Sequence, residues 1–341
     1  MSAMPAAAHA PLVEVTRGDE VESIHCGSVA VVDLDGRLLF SAGDPHCTTF
    51  TRSTIKPFQA APFIAAGGAR HFALAGPQVA LLCASHSGQE MHVREVRTIL
   101  ARVGQREPQL ACGCHLPLQF SLESLPQPGA RFSEVHHNCS GKHAGFLAYC
   151  VQHGLPTENY VDPGHPLQRA VRQSVAHFAG LAPHDLKAGT DGCSAPNYAM
   201  PLSALALSYA RLAQGAPDAE YGDALAVLRD AMVSHPELVS GTGRSDLAFM
   251  QAAPGDWIAK IGAEGVQVIG VRSAGIGIAF KVADGNARAL IPAAIAVLQQ
   301  LGMGDRIAGS ALAALARPTL HNYAGARTGE VRANVQLLAQ H

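Results

Sequence analysis

The chain has 341 residues, 48% hydrophobic and 15% charged, with a formal net charge of −2 at pH 7. That balance offers no electrostatic attraction for nucleic acid or an anionic membrane, and the apolar fraction excludes a disordered chain. No run of ~18 apolar residues predicts a membrane span. The start of the chain lacks the positive region and apolar core of an export signal, so a cytoplasmic protein is expected. Its eight cysteines should then be thiols unless they bind metal or act in catalysis.

In chain order, Met1 to Leu12 is Ala- and Pro-rich and reads as a flexible tail, leaving 13–341 as a single domain with an inserted helical lobe. Ser28 to Val32 and Arg37 to Phe40 flank Asp33-Leu34-Asp35-Gly36, a hairpin signal. Helical patterns follow over Ser53 to Ala66, Glu90 to Val103, His143 to His153, His165 to Ala179, Met200 to Ala213 and Ala224 to Ser234. Loops rich in Gly and Pro separate them, as at Leu125 to Ala130 and Gly215 to Asp218. Trp257 to Ile261, Val266 to Val271 and Ile276 to Val282 predict three strands, and Ala289 to Leu301 a closing helix. Strands at both ends with helices between them predict an α+β fold. One antiparallel sheet would be assembled from the two chain ends and covered by helices, beside a mainly helical lobe.

Arg52-Ser53-Thr54-Ile55-Lys56-Pro57 carries the first chemical signal. Residues three apart on a helix lie within side-chain reach, and Pro57 belongs near a helix start. Ser53 is thus expected at a helix N-terminus, where orphan N–H groups favour the negative charge of an attacking serine. Lys56 can take the serine proton only when neutral, which requires depressing its pKa by ~3 pH units, roughly 4 kcal/mol. Burial or a second cation supplies such a depression. Ser-x-x-Lys also describes a serine N-cap followed by a solvated lysine, so the segment needs company.

Two segments provide it. Cys83-Ala84-Ser85-His86-Ser87-Gly88 sets two hydroxyls and an imidazole in a turn, with Ser87 also a candidate cap for the following helix. Ala259-Lys260-Ile261-Gly262 puts a lysine on a predicted strand beside a glycine that lets substrate approach the backbone; an edge-strand gatekeeper lysine is the plainer alternative. Serine, lysine, serine, lysine is the chain order of the penicillin-recognising serine hydrolases, S-x-x-K, S-x-N and K-T-G. Here His86-Ser87 and Ile261-Gly262 depart from that pattern, against a β-lactam or D-Ala-D-Ala enzyme proper.

His137-Asn138-Cys139-Ser140-Gly141-Lys142-His143 and Thr190-Asp191-Gly192-Cys193 are rich in possible zinc ligands. Cys139, Lys142 or His143, and Cys193 form a conceivable mixed site, although no zinc-finger spacing is matched and separated cysteines also serve as core residues. Cys112-Gly113-Cys114-His115 is assigned a structural role.

Taken together these motifs resemble the rhizobial-type L-asparaginases, a family with a serine β-lactamase-like fold, over about Val13 to Leu301. The resemblance implies hydrolysis of L-asparagine to L-aspartate and ammonia. It implies two Ser-Lys tandems, Ser53 with Lys56 and Ser85 with Lys260, acting through an acyl-enzyme on Ser53. It further implies a zinc ion on Cys139, Lys142 and Cys193 with a positioning role, and a homodimer. Arg52, His86, Asn138, Asp191 and Gly262 are the candidate substrate-binding residues. A glutaminase or other amidase, a penicillin-recognising peptidase and a non-catalytic amino-acid-binding protein stand as rivals.

Overall fold

The computed structural model describes residues 8–120 and 124–340. Most of the expected tail, 1–7, lies outside them. Its last three residues instead open the first strand, β1 (Ala10–Arg17), in which Leu12 is fully buried. β2 (Glu20–Val32) is long enough to carry β1 along its first half and β3 (Leu38–Ala42) along its second. The expected hairpin is present, and β2 extends it toward the N-terminus.

The late chain supplies β7 (Trp257–Gly262), β8 (Val266–Val271) and β9 (Ile276–Val282), which follow the short strands β4 (Thr48–Phe50), β5 (Lys187–Thr190) and β6 (Pro196–Pro201). Beyond the closing helix come β10 (Thr319–His321), β11 (Arg327–Ala333) and β12 (Leu338–Ala339). All pairings are antiparallel, in the order β10-β11-β1-β2-β9-β8-β7, with β3 and β12 paired beside β2. Gly27 faces Val282 and Val15 faces Val331, so the two chain ends do share one sheet. The expected α+β arrangement is present, with one antiparallel sheet built from both chain ends. β4, β6 and β5 form a separate small sheet.

Every residue of β8 is buried, because helix Leu202–Gln214 covers one face and helix Leu290–Gln300 the other. The first of these helices comes so close that a Cβ on Gly277 would overlap the Ala206 carbonyl. The predicted helices are found with ends moved by up to three residues, as Glu90–Arg102, Ser140–Gln152, Pro166–Ala179 and Ala224–Ser234. Helix Lys56–Ala65 carries Pro57 in its first turn, where no hydrogen bond is lost, and buries nine of its ten residues among neighbouring helices. Two helices unforeseen in the sequence, Gly76–Leu82 and Ser245–Ala252, flank the site.

Candidate active site

Ser53 sits in a single 3₁₀ turn, Arg52–Ile55, that feeds directly into helix Lys56–Ala65. The turn is pinned from three sides. Thr51 donates from both its N–H and its hydroxyl to the Tyr198 carbonyl. The Tyr209 hydroxyl donates to the Thr54 carbonyl at 2.7 Å. Buried Asn197 grips Arg52 front and back, accepting from its N–H and donating to its carbonyl, each at 3.0 Å. That grip holds Arg52 at φ +48°, a left-handed conformation costing a non-glycine residue about 1–2 kcal/mol. Backbone strain of this kind clusters at functional sites, and here it immediately precedes Ser53.

Ser53 Oγ, 9% exposed, pairs with Ser85 Oγ at 3.1 Å. Ser85 follows helix Gly76–Leu82; its N–H is anchored on the Val239 carbonyl, and its hydroxyl accepts from Asn138 Nδ2 at 3.0 Å. The Lys56 amine, 1% exposed, donates to the Ala84 carbonyl at 2.7 Å and the Asn138 carbonyl at 3.5 Å. Lys260 lies on β7 with no exposure and meets the equally buried Asp246 at 3.2 Å. Burial drives Lys260 down to about 8; the Asp246 carboxylate opposes that, and the Lys56 charge adds to it.

Gly262, on the same strand, abuts the Ser53 turn: a Cβ there would stand 2.9 Å from the Thr51 carbonyl oxygen. Its absence of a side chain lets strand and turn meet. Arg52 Nε donates to Asp191 Oδ1 at 2.8 Å, and both line a cleft of about 470 Å³ with Phe50, Asn197, Glu264 and Lys281.

His86 is placed differently from the substrate-contacting role expected of it. It has no exposure, accepts from the Gly88 N–H at Nδ1, and pairs through Nε2 with Ser140 Oγ at 2.9 Å. Burial, then neighbouring His92, keeps it neutral. It braces the Ser85 loop from behind. Ser87 does not cap the next helix either; its hydroxyl donates to the Ser240 carbonyl, and Gln89 takes the cap position.

Three residues of the site escaped the sequence reading. Asp246 and Asn197 are single polar residues in stretches without a motif. His115 belonged to the Cys112–Cys114 cluster assigned to structure, yet its Nε2 lies 3.2 Å from Asn138 Oδ1.

Cys139, Lys142 and Cys193 do converge, all buried. The Lys142 amine donates to Cys193 Sγ at 3.0 Å. A hydrogen bond from Cys139, together with the Lys142 charge, holds Cys193 far below the thiol range although burial opposes it. The same bond, with burial, holds Cys139 well above it. Against its own burial, Lys142 is pushed up by the two sulfurs, Cys193 foremost. The cluster therefore reads as thiol, thiolate and ammonium. Among the described residues no set of three or more His, Cys, Asp or Glu side chains is arranged around a metal position, so a metal here would need Lys142 as a ligand. Cysteine sulfur is a donor that zinc favours, and the Lys142 amine lies beside one of the two sulfurs. All eight cysteines are free.

A family model described as L-asparaginase II matches residues 13–333. The chain belongs to the L-asparaginase II family. No match is found among curated proteins. Similar solved structures include native Mglu, at 16% identity and a TM-score of 0.45, covering 81% of this chain and 61% of that one. A β-lactamase from Mycobacterium bovis shows 17% identity and a TM-score of 0.42 over 80% of this chain and 94% of its own. Mglu in its L-glutamate binding form shows 16% and 0.42 over 81% and 59%. The chain thus spans about three fifths of the length of Mglu. No helix among the described residues is long and apolar enough to cross a membrane.

Proposed function

We propose that this member of the family hydrolyses the side-chain amide of L-asparagine, giving L-aspartate and ammonia through an ester on Ser53. The observation that carries the reading is the hydroxyl pair, Ser53 Oγ 3.1 Å from Ser85 Oγ, with the buried Lys56 amine on the Ala84 carbonyl next to Ser85. A neutral lysine amine has two N–H donors, and the Ala84 and Asn138 carbonyls take both from Lys56, leaving its lone pair for a hydroxyl proton.

Ser53 Oγ attacks the amide carbon as its proton passes to Lys56. The carbonyl π pair moves onto oxygen, where the Ser53 N–H and the β7 backbone are the candidate stabilising donors. As the tetrahedral intermediate collapses, the C–N bond breaks and the leaving nitrogen takes a proton through the Ser85 and Lys260 relay, departing as ammonia. Water then attacks the ester, loses a proton to the same bases, and frees aspartate and the serine hydroxyl. At the cleft, Arg52 would meet the substrate's α-carboxylate and Asp191 its α-ammonium, exchanging their mutual ion pair for two with the ligand. Asn138 holds Ser85 in line.

Zinc belongs to the same proposal, held by Cys139, Lys142 and Cys193. As a cation beside the Asp191 loop it would fix that loop for substrate positioning.

Ser53→Ala should stay folded by circular dichroism and lose ammonia release by several orders of magnitude. Near-normal turnover in that folded variant would sink the mechanism. Running the wild type on L-glutamine in parallel decides the substrate: faster release from glutamine makes the protein a glutaminase, and binding of either amide without ammonia makes it a binding protein.

A further inference from the structure

We infer that Asp246 is a positioning residue for this reaction, the buried carboxylate that holds Lys260 in place and in its charged form opposite Lys56. The inference rests on the reading of Lys260 as part of the proton relay.

Asp246 Oδ2 lies 3.2 Å from Lys260 Nζ, and neither side chain has any exposure. Lys260 has one further partner, the Ile261 carbonyl at 3.3 Å. Helix Ser245–Ala252 packs along β7, and Asp246 stands in its first turn, where the helix dipole favours an anion. Its other oxygen, Oδ1, is buried without a hydrogen-bond partner. The protein contact that the carboxylate makes is thus directed at the Lys260 ammonium.

The charged groups that act on Lys260 are Asp246, Lys56 across the site, and Arg244 just before the helix. The Cys83 thiol also faces both lysines but is uncharged, because burial raises it to about 12. The Tyr209 phenol faces Asp246 and is likewise held neutral by burial. Asp246 is therefore the anion set against the buried Lys260 ammonium. With it, Lys260 keeps its proton into mildly alkaline solution. Without it, burial and Lys56 act on Lys260 in the same direction. The proton is then lost at lower pH.

The sign follows. Turnover needs charged Lys260, so the rate falls as pH rises through its pKa, near 8 in the wild type. Removing the Asp246 charge must move that alkaline limb toward acid.

The experiment measures kcat and KM for ammonia release from L-asparagine against pH for wild type, Asp246→Asn, Asp246→Glu and Lys260→Ala. In Asp246→Asn the alkaline limb should move down by about one pH unit or more, with KM little changed. At a fixed pH above both limbs, a one-unit move is about a tenfold loss. Asp246→Glu, which keeps the charge, should return the limb to its wild-type position. Activity lowered by one factor at every pH, with the limb unmoved, is what a merely structural aspartate would give and overturns the inference. Should Asp246→Asn fail to fold, the glutamate variant decides alone: a wild-type limb upholds the inference and a limb shifted to acid overturns it. Lys260→Ala separates the two levels. Normal turnover in it refutes the proton relay itself, whereas an inactive Lys260→Ala beside an unmoved Asp246→Asn limb refutes only the role of Asp246.

Discussion

A buried lysine amine 3.0 Å from a cysteine sulfur has two chemical identities open to it: partner of a thiolate, or, stripped of its proton, neighbour of that thiolate on a cation. For Lys142 the second identity releases two protons, its own and that of Cys139, so acid opposes metal binding directly. Elemental analysis of protein purified without added zinc should find about one zinc per chain. Dialysis at mildly acidic pH should remove it, and Cys139→Ser should lower the content sharply. Metal-free wild type, with Cys139→Ser unchanged in affinity for asparagine, would exclude the site. At this scale the sequence was most legible where chemistry is local. Ser53 and Lys56 declare themselves by a spacing of three, and Cys139 with Lys142 by the same spacing. The bond between Ser53 and Ser85 joins different elements, and no spacing announces it. Asp246 left no trace at all, because a lone acid after a serine reads as an ordinary helix start.

Helix Leu202–Gln214 meets the sheet almost backbone to backbone, and Gly277 is where it does so. The atom a side chain would strike is a main-chain carbonyl of Ala206, which has no rotamer to swing away. Gly277→Ala should therefore destabilise the fold by about 1–3 kcal/mol, as overpacking does. The readout is a lower urea midpoint with an unchanged slope. An unchanged midpoint would mean that helix and sheet slide apart freely. Because this helix also carries Tyr209, whose hydroxyl holds the Thr54 carbonyl, the damage should reach the nucleophile turn. Long amphipathic helices were readable from their periodicity, with errors confined to the ends. The strands Lys187–Thr190 and Pro196–Pro201 were not, since they are short, contain glycine and proline, and look like loop. Their pairing comes from each other and from Thr48–Phe50, a relation invisible along the chain.

The resemblance that named the family stopped near Leu301, yet β10, β11 and β12 lie beyond it. β11 covers the free edge of β1, and β12 that of β3. A chain ending at Leu301 keeps every candidate catalytic and metal-binding residue and loses this cover. It should aggregate or melt at a lower temperature than the full chain, with the outer edge of β1 from Val13 to Val15 newly bare; equal solubility and melting would make the late strands ornamental. The sheet's construction from two ends carries a further cost, one of order in time. During synthesis β1 and β2 emerge first and can form their hairpin at once, but the edge of β2 from Gly27 onward has no partner until β9 is made. For most of translation a ribosome therefore holds a chain with an apolar strand edge bare, a template for pairing with its neighbours. The enzyme's yield in a crowded cell should accordingly be set by how well that one edge is sheltered before the last strands arrive.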